Sequence, residues 1–325
     1  MLLRPVLLFL FFAFTLPASA QSDTSGTGKP QPVSGSDPAV PLHPFFTPAS
    51  SFNKKRTAFV ISSEAALSTG SLIALSQLWY KDYPRTNFHL FNDNGEWLQM
   101  DKCGHAITAY TVGGYGFNLL KWGGVNRKKA TWYGGLTGFA YLSVIEIFDG
   151  FSSGWGFSPG DLLANTTGCG LLIGQELIWN EQRIVPKFGF RKSGYAQYRP
   201  SLLGSNFSEQ LLKDYNGQTY WLSVNIASFI PGENHFPKWL NLAFGYGANG
   251  MVGGHENPLI AGTNGNTLYF ERYRQFYISP DIDLTKIPVR SPFLKAVFGT
   301  FGFLKIPLPG IEFSRGKMIG LPLAF

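Results

Sequence analysis

The chain has 325 residues, 44% of them apolar, 16% aromatic and only 14% charged, with 38 glycines. A charged share well below the roughly 25% of ordinary soluble domains fits a protein that meets lipid, or one whose elements are buried on most sides. The formal charge of +7 favours an anionic lipid surface, but it includes no Lys/Arg block and no nucleic-acid motif, which argues against a nucleic-acid partner.

The N-terminus reads as a secretory signal over residues 1–20. Arg4 supplies the positive start, Val6 to Phe14 the apolar run, and Ala18, Ser19 and Ala20 a small-residue cleavage site. The run is short for a membrane span. Cleavage after Ala20 removes Arg4 and leaves a mature charge of about +6. Residues 21–50 are a disordered leader, rich in Ser, Gly, Thr and Pro to about residue 44.

Thr57 to Tyr80 carries one charge, Glu64, and has the length of a buried or bilayer-crossing helix. A polar, aromatic connection follows over 81–100, with a turn at Asn92, Asp93, Asn94 and Gly95. A second helix is expected from Asp101 to Trp122, ending near Gly123 and Gly124, and a third from Ala130 to Asp149, stopped by Gly150. Between them Arg127, Lys128 and Lys129 form a basic turn. The fourth opens with Ser158 as N-cap and Pro159 in the first turn and runs to Trp179. Gly134 and Gly138, and Gly170 and Gly174, have close-packing spacing.

Beyond about Phe188 the pattern turns strand-like: Tyr220 to Phe229, Trp239 to Tyr246 and Thr267 to Ile278. Residues 294–305 read as a short amphipathic helix. At the chain end Gly320, Leu321, Leu323 and Phe325 resemble the last strand of an outer-membrane barrel, with Pro322 breaking the pattern. Five or six candidate strands are too few for an ordinary eight-stranded barrel, so a partial barrel or twisted sheet is expected. The fold class is therefore α+β, with a bundle of about four apolar helices over 51–187 and an antiparallel, outer-membrane-associated β region over 188–325. Cys103 and Cys169 read as two small buried hydrophobes rather than a bridge.

Three polar clusters interrupt the apolar helices. Asp101, Lys102 and His105 lie on the second helix, with Asp101 and His105 four apart on one face. Glu146 and Asp149 share a face of the third. Asp161, Asn165 and Gly168 form a stripe on the fourth. A buried charge without a partner costs several kcal/mol, so the clusters are expected to converge. Asp101 also fits a cap for its own helix, and Asp161, three residues after Ser158, fits a capping box. Asp149 opposes its helix dipole and calls for a partner such as Lys102 or His105.

Three chemistries stay open. The first is a structural or ligand-recognising polar network. The second is acid–base catalysis by His105 with Glu146 or Asp149, for which the sequence offers no G-x-S-x-G elbow. The third is a metal site, for which neither H-E-x-x-H nor paired cysteine motifs occur. The reading adopted is no metal and no cofactor.

These residues carry a resemblance. DKCGHAITAY, SVIEIFDG and SGWGFSPGDLLANTTG are similar to the D-K-x-x-H, E-x-x-D and G-[FW]-S-x-x-D-x-x-x-[ND]-x-x-G motifs of the YfiM-like predicted periplasmic lipoproteins, domain of unknown function 2279. A looser similarity reaches VanZ-like membrane proteins. The resemblance implies an envelope location, no established activity, and motif positions at Asp101, Lys102, His105, Glu146, Asp149, Asp161, Asn165 and Gly168. The chain departs from the pattern in lacking the acylated cysteine and in adding its β-like half. The expectation is an exported protein in the outer membrane or periplasm of a Gram-negative bacterium. Its partners would be membrane lipid and a small polar or lipid head group, with a lipid- or cell-wall-directed hydrolase as the alternative.

Overall fold

The computed structural model describes residues 44–80, 83–232, 235–261 and 266–325. The signal segment and the leader through residue 43 lie outside the described residues. Helix α1 (Lys54–Leu75) starts at Asn53, whose side chain accepts the Arg56 amide at 3.0 Å, and passes into a π-helical turn at Ser76–Tyr80. Such a cap contributes about 1 kcal/mol. Helix α2 (Met100–Trp122) is the centre of the bundle, buried along most of its length.

The third expected helix is two. Helix α3 (Arg127–Gly135) and helix α4 (Thr137–Gly150) meet at Leu136. Gly134 and Gly135 weaken the helix there. The Thr137 hydroxyl donates back to the Gly134 carbonyl at 2.7 Å, a bond that competes with a regular turn. Helix α5 (Pro159–Trp179) has the expected start: the Ser158 hydroxyl oxygen accepts the Asp161 amide at 3.1 Å.

Three glycines on the neighbouring helices let them approach α2 closely. A Cβ at Gly138 would lie 2.1 Å from the Ala109 carbonyl oxygen, at Gly134 2.3 Å from the Phe117 nitrogen, and at Gly168 2.0 Å from the Ala106 carbonyl oxygen. Gly170 and Gly174 do not serve this purpose, since no heavy atom among the described residues comes within 4 Å of a Cβ built at either. The spacing identified one of the two expected contacts, and the α5 contact is made by Gly168 instead. Cys103 and Cys169 are free thiols.

The C-terminal half builds an antiparallel sheet from β1 (Ile184–Phe190), β2 (Gln218–Asn225), β3 (Leu240–Asn249), β6 (Tyr273–Ile282), β7 (Leu308–Ser314) and β8 (Lys317–Ala324), in that order. Two-residue strands β4 (Ile260–Ala261) and β5 (Thr267–Leu268) form a separate small pair. The fold is thus α+β. Among the described residues the six-stranded sheet is open rather than a closed barrel. Strand β1 escaped the sequence pattern because Pro186 and Gly189 interrupt it and its central Lys187 is buried. As an end strand of the sheet it tolerates Pro186, and β8 tolerates Pro322 for the same reason. Helices α6 (Phe207–Lys213) and α7 (Pro292–Phe301) lie in the connections.

The sheet's two faces have unusual polarity. Cross-strand partners share a face, and one face carries the row Leu222, Phe244, Ile278 and Ile311, with Phe276 one step along, all exposed. The other carries Lys187, Trp221, Tyr277 and Glu312, then Ser223 and Ser279, then Asn225, Asn241 and Asp281, all buried. There Lys187 Nζ sits 2.7 Å from Asp281 Oδ2, Ser223 donates to the same oxygen at 2.6 Å, and Gln275 donates to Glu312 at 2.7 Å. This sheet hides polar groups and shows apolar ones, the inverse of a soluble sheet.

Candidate functional site

The polar centre begins with an unusual turn. Trp97, Leu98 and Gln99 have φ of 47°, 51° and 64°, three successive left-handed residues immediately before α2. Each costs roughly 1–2 kcal/mol outside glycine. The β half supports them. The Trp97 amide donates to the Gly254 carbonyl at 2.8 Å, Tyr246 hydroxyl donates to the Leu98 carbonyl, and Arg274 donates to Gln99 Oε1 at 2.7 Å. The turn launches α2 with Asp101, Lys102 and His105 directed into the protein.

The centre is assembled from four segments. Lys102 Nζ lies 2.7 Å from Asp161 Oδ1 on α5, 2.6 Å from Asp93 Oδ1 in the preceding loop and 3.5 Å from Asp101 Oδ2. His105 Nδ1 is 3.0 Å from Asn165 Oδ1, while its Nε2 lies 3.8 Å from Glu146 Oε1 on α4 and 3.9 Å from Asp161 Oδ1. Asp101, His105, Glu146, Asp161 and Asn165 are each at most 4% exposed. The expected convergence is therefore observed for six of the candidate side chains: Asp101, Lys102, His105, Glu146, Asp161 and Asn165. Gly168 contributes the close contact that brings α5 against α2 at this level.

Two local expectations are corrected. The capping box at Ser158 is not closed by Asp161, whose carboxylate turns to Lys102; the Ser158 amide is accepted by Glu146 Oε2 at 3.2 Å. Asp101 is not a helix cap, because Gln99 occupies that position. Asp101 Oδ1 instead accepts the Tyr215 hydroxyl at 2.5 Å. Asp149 receives the Tyr80 hydroxyl at 2.8 Å, a phenol from the end of the π-helical turn.

Three participants escaped the sequence reading. Asp93 was read only as a turn residue, yet it is buried, pairs with Lys102 and accepts the Ser158 hydroxyl at 2.6 Å. Tyr80 and Tyr215 carry no local signal, since an aromatic on an aromatic-rich chain gives no hint of its hydroxyl's partner. The position of Asp93, eight residues before Asp101, is the one available clue.

Electrostatics follow from this crowding. Burial pushes the Asp161 carboxyl up to about 8; His105 and Lys102 oppose that rise, while Asp101 and Glu146 add to it. Burial works against the Lys102 charge, but Asp101 and Asp161 outweigh it and hold the ammonium above the ordinary lysine range. The centre thus keeps Lys102 charged and makes the Asp161 carboxyl a weaker acid than an exposed one. The loop bearing Asp93 also lines a cavity of about 260 Å³ with Phe91, Glu96 and Trp97, completed by Tyr83, Trp155 and Leu202. Burial raises the Glu96 carboxyl above its usual range, with His255 opposing.

Residues 89–173 match the family described as predicted periplasmic lipoprotein (DUF2279). The matched segment contains Asp93 and every centre residue from α2, α4 and α5, and it stops short of Tyr215 and the six-stranded sheet. The motif resemblance is borne out over this segment. The family description agrees with an exported envelope protein of a Gram-negative bacterium. No curated protein and no solved structure matches the chain.

Proposed function

We propose that this chain is a non-enzymatic envelope protein seated on outer-membrane lipid, whose polar centre orders the helical bundle and recognises a small polar or lipid head group. The observation that carries the reading is the inverted sheet. Leu222, Phe244, Phe276, Ile278 and Ile311 form an exposed apolar face, while Lys187, Asp281 and Glu312 are enclosed behind it. A contiguous apolar face of this kind is unfavourable in water and favourable against acyl chains. Helix α1 adds to this picture: it is the one helix among the described residues long and apolar enough to cross a membrane, with 17% of its most apolar stretch buried.

Membrane fractionation tests the seat. The wild type is expected to stay in the membrane fraction through high-salt and carbonate washing, and a Phe244→Asp, Ile278→Asp double variant to be released. Release of the folded wild type by carbonate would refute the lipid seat.

The hydrolase reading keeps one supporting observation, the approach of His105 Nε2 to Glu146 at 3.8 Å. The Ser158 hydroxyl is committed to Asp93 and to capping α5. Accumulation of one lipid or glycan species in cells carrying a folded His105→Gln variant would favour that reading over ours.

A further inference from the structure

We propose that Asp101, His105 and Asp161 bind one first-row divalent cation of the zinc or manganese kind, with Glu146 as a fourth donor. The proposal deepens the ligand-recognising reading of the polar centre and is independent of the lipid seat. One ligand atom from each of the three residues lies within 4.8 Å of the others, and all three are buried.

The spacing around His105 carries the argument. Its Nε2 lies 3.8 Å from Glu146 Oε1 and 3.9 Å from Asp161 Oδ1. These separations exceed a direct N–H···O hydrogen bond of about 2.7–3.2 Å. They fall below the sum of two bonds through a zinc-like ion, at about 2.0–2.2 Å each. One bridging ion fits where a direct bond does not. The other ring nitrogen is held for that purpose. Nδ1 donates to the Asn165 carbonyl oxygen at 3.0 Å, so in the neutral ring Nε2 turns its lone pair toward the carboxylates, and a cation bound there takes the place of the Nε2 proton. Tyr215 donates to Asp101 Oδ1, and Asp101 Oδ2 faces Lys102 at 3.5 Å.

Lys102 borders the site from the same helix, 2.7 Å from Asp161 Oδ1. Its ammonium is a built-in competitor for the carboxylates. A bound cation would press Lys102 toward Asp93, which already holds it at 2.6 Å. One imidazole with carboxylates suits zinc, manganese or ferrous iron rather than the thiolate-seeking metals. Two of the three donors, Asp101 and His105, come from one face of α2, and the third, Asp161, from the first turn of α5.

The test uses the mature full chain in detergent, purified without chelator. Metal content is measured first. The protein is then stripped and titrated with Co²⁺, followed by visible absorption, and with Zn²⁺ and Mn²⁺, followed by thermal unfolding. We expect saturable binding of one ion per chain, with Co²⁺ bands lost in His105→Gln and Asp161→Asn. Lys102→Met should tighten binding by about tenfold or more, because a like charge bordering the ligands is removed. Absence of saturable binding by all three ions in the folded wild type would overturn the proposal, as would unchanged Co²⁺ bands in folded His105→Gln. Carbonate release of a protein that still binds one ion would instead defeat the lipid seat and leave the metal site standing.

Discussion

Glu146 Oε2 accepts the Ser158 amide at 3.2 Å, so a carboxylate from α4 completes the cap at the start of α5. In a self-contained capping box the third helical residue would reach back to do this. Here that residue, Asp161, is drawn away to Lys102. The helix start and the polar centre are therefore one structure. Glu146→Gln keeps an acceptor oxygen for Ser158, whereas Glu146→Ala leaves the amide buried without it, at a cost of about 1–3 kcal/mol. Denaturant titration should show Gln closer to wild type than Ala. Equal losses would mean that the charge of Glu146 matters and the cap does not.

Lys102 sits between Asp93 at 2.6 Å and Asp161 at 2.7 Å, both enclosed. Replacing it with Met in chelator-treated protein leaves two carboxylates facing each other, and the expected loss is about 3–5 kcal/mol. Adding Asp93→Asn to Lys102→Met should recover part of this, with a coupling of about 0.5–3 kcal/mol. A double-mutant cycle from urea midpoints measures it. Additive losses would show that the two residues do not share an interaction.

Convergence of the charged motifs was legible because the cost of isolated burial is large and the motif residues sit on the same helix faces. Its wiring was not. The sequence pointed to Asp149 as a partner for Lys102 or His105 and gave no sign of the hydrogen bond it accepts from Tyr80. It pointed to Asp161 as the capping-box partner, and Glu146 does that work from another helix. Both departures arise from tertiary contacts that no local pattern encodes. The single helix expected over 130–149 failed for a local reason, since Gly134, Gly135 and Thr137 together interrupt the regular helix around Leu136. Strand β1 was missed because the alternation rule assumes an apolar interior, and this sheet encloses Lys187 instead.

That inversion yields its own prediction. Lys187 and Lys305 share Asp281, at 2.7 Å and 3.5 Å. Lys187→Met should cost about 3–5 kcal/mol, the price of stranding a buried carboxylate, and Lys305→Met less, given its longer contact. Burial lowers the Lys305 pKa below its ordinary 10.5; Asp281 opposes this and Lys187 adds to it. The folded state therefore holds its proton less tightly than the unfolded chain. As pH rises from the folded value toward 10.5 the unfolded state binds more protons, so this residue's contribution to stability grows. Urea midpoints between about pH 8 and pH 10 should fall less in wild type than in Lys305→Met. The reverse order would contradict the assigned burial.

Gly168 and Gly170 lie two residues apart on α5 and separate packing from propensity. A Cβ at Gly168 would meet the Ala106 carbonyl oxygen at 2.0 Å, whereas one at Gly170 would meet no heavy atom within 4 Å among the described residues. Backbone cannot yield as a flexible side chain does, so Gly168→Ala must push α5 away from α2. That displacement acts next to the His105 to Asn165 contact at 3.0 Å, and it should lower stability by about 1–3 kcal/mol. Gly170→Ala should be neutral, or stabilising by roughly 0.5–1 kcal/mol, through the better helix propensity of alanine. Thermal unfolding of the two variants gives the comparison, and the imidazole NMR resonances of His105 give the local readout, shifting in Gly168→Ala and not in Gly170→Ala. Equal effects at both positions would mean that the helices do not approach through Gly168, and the placement of Asn165 against His105 would lose its support.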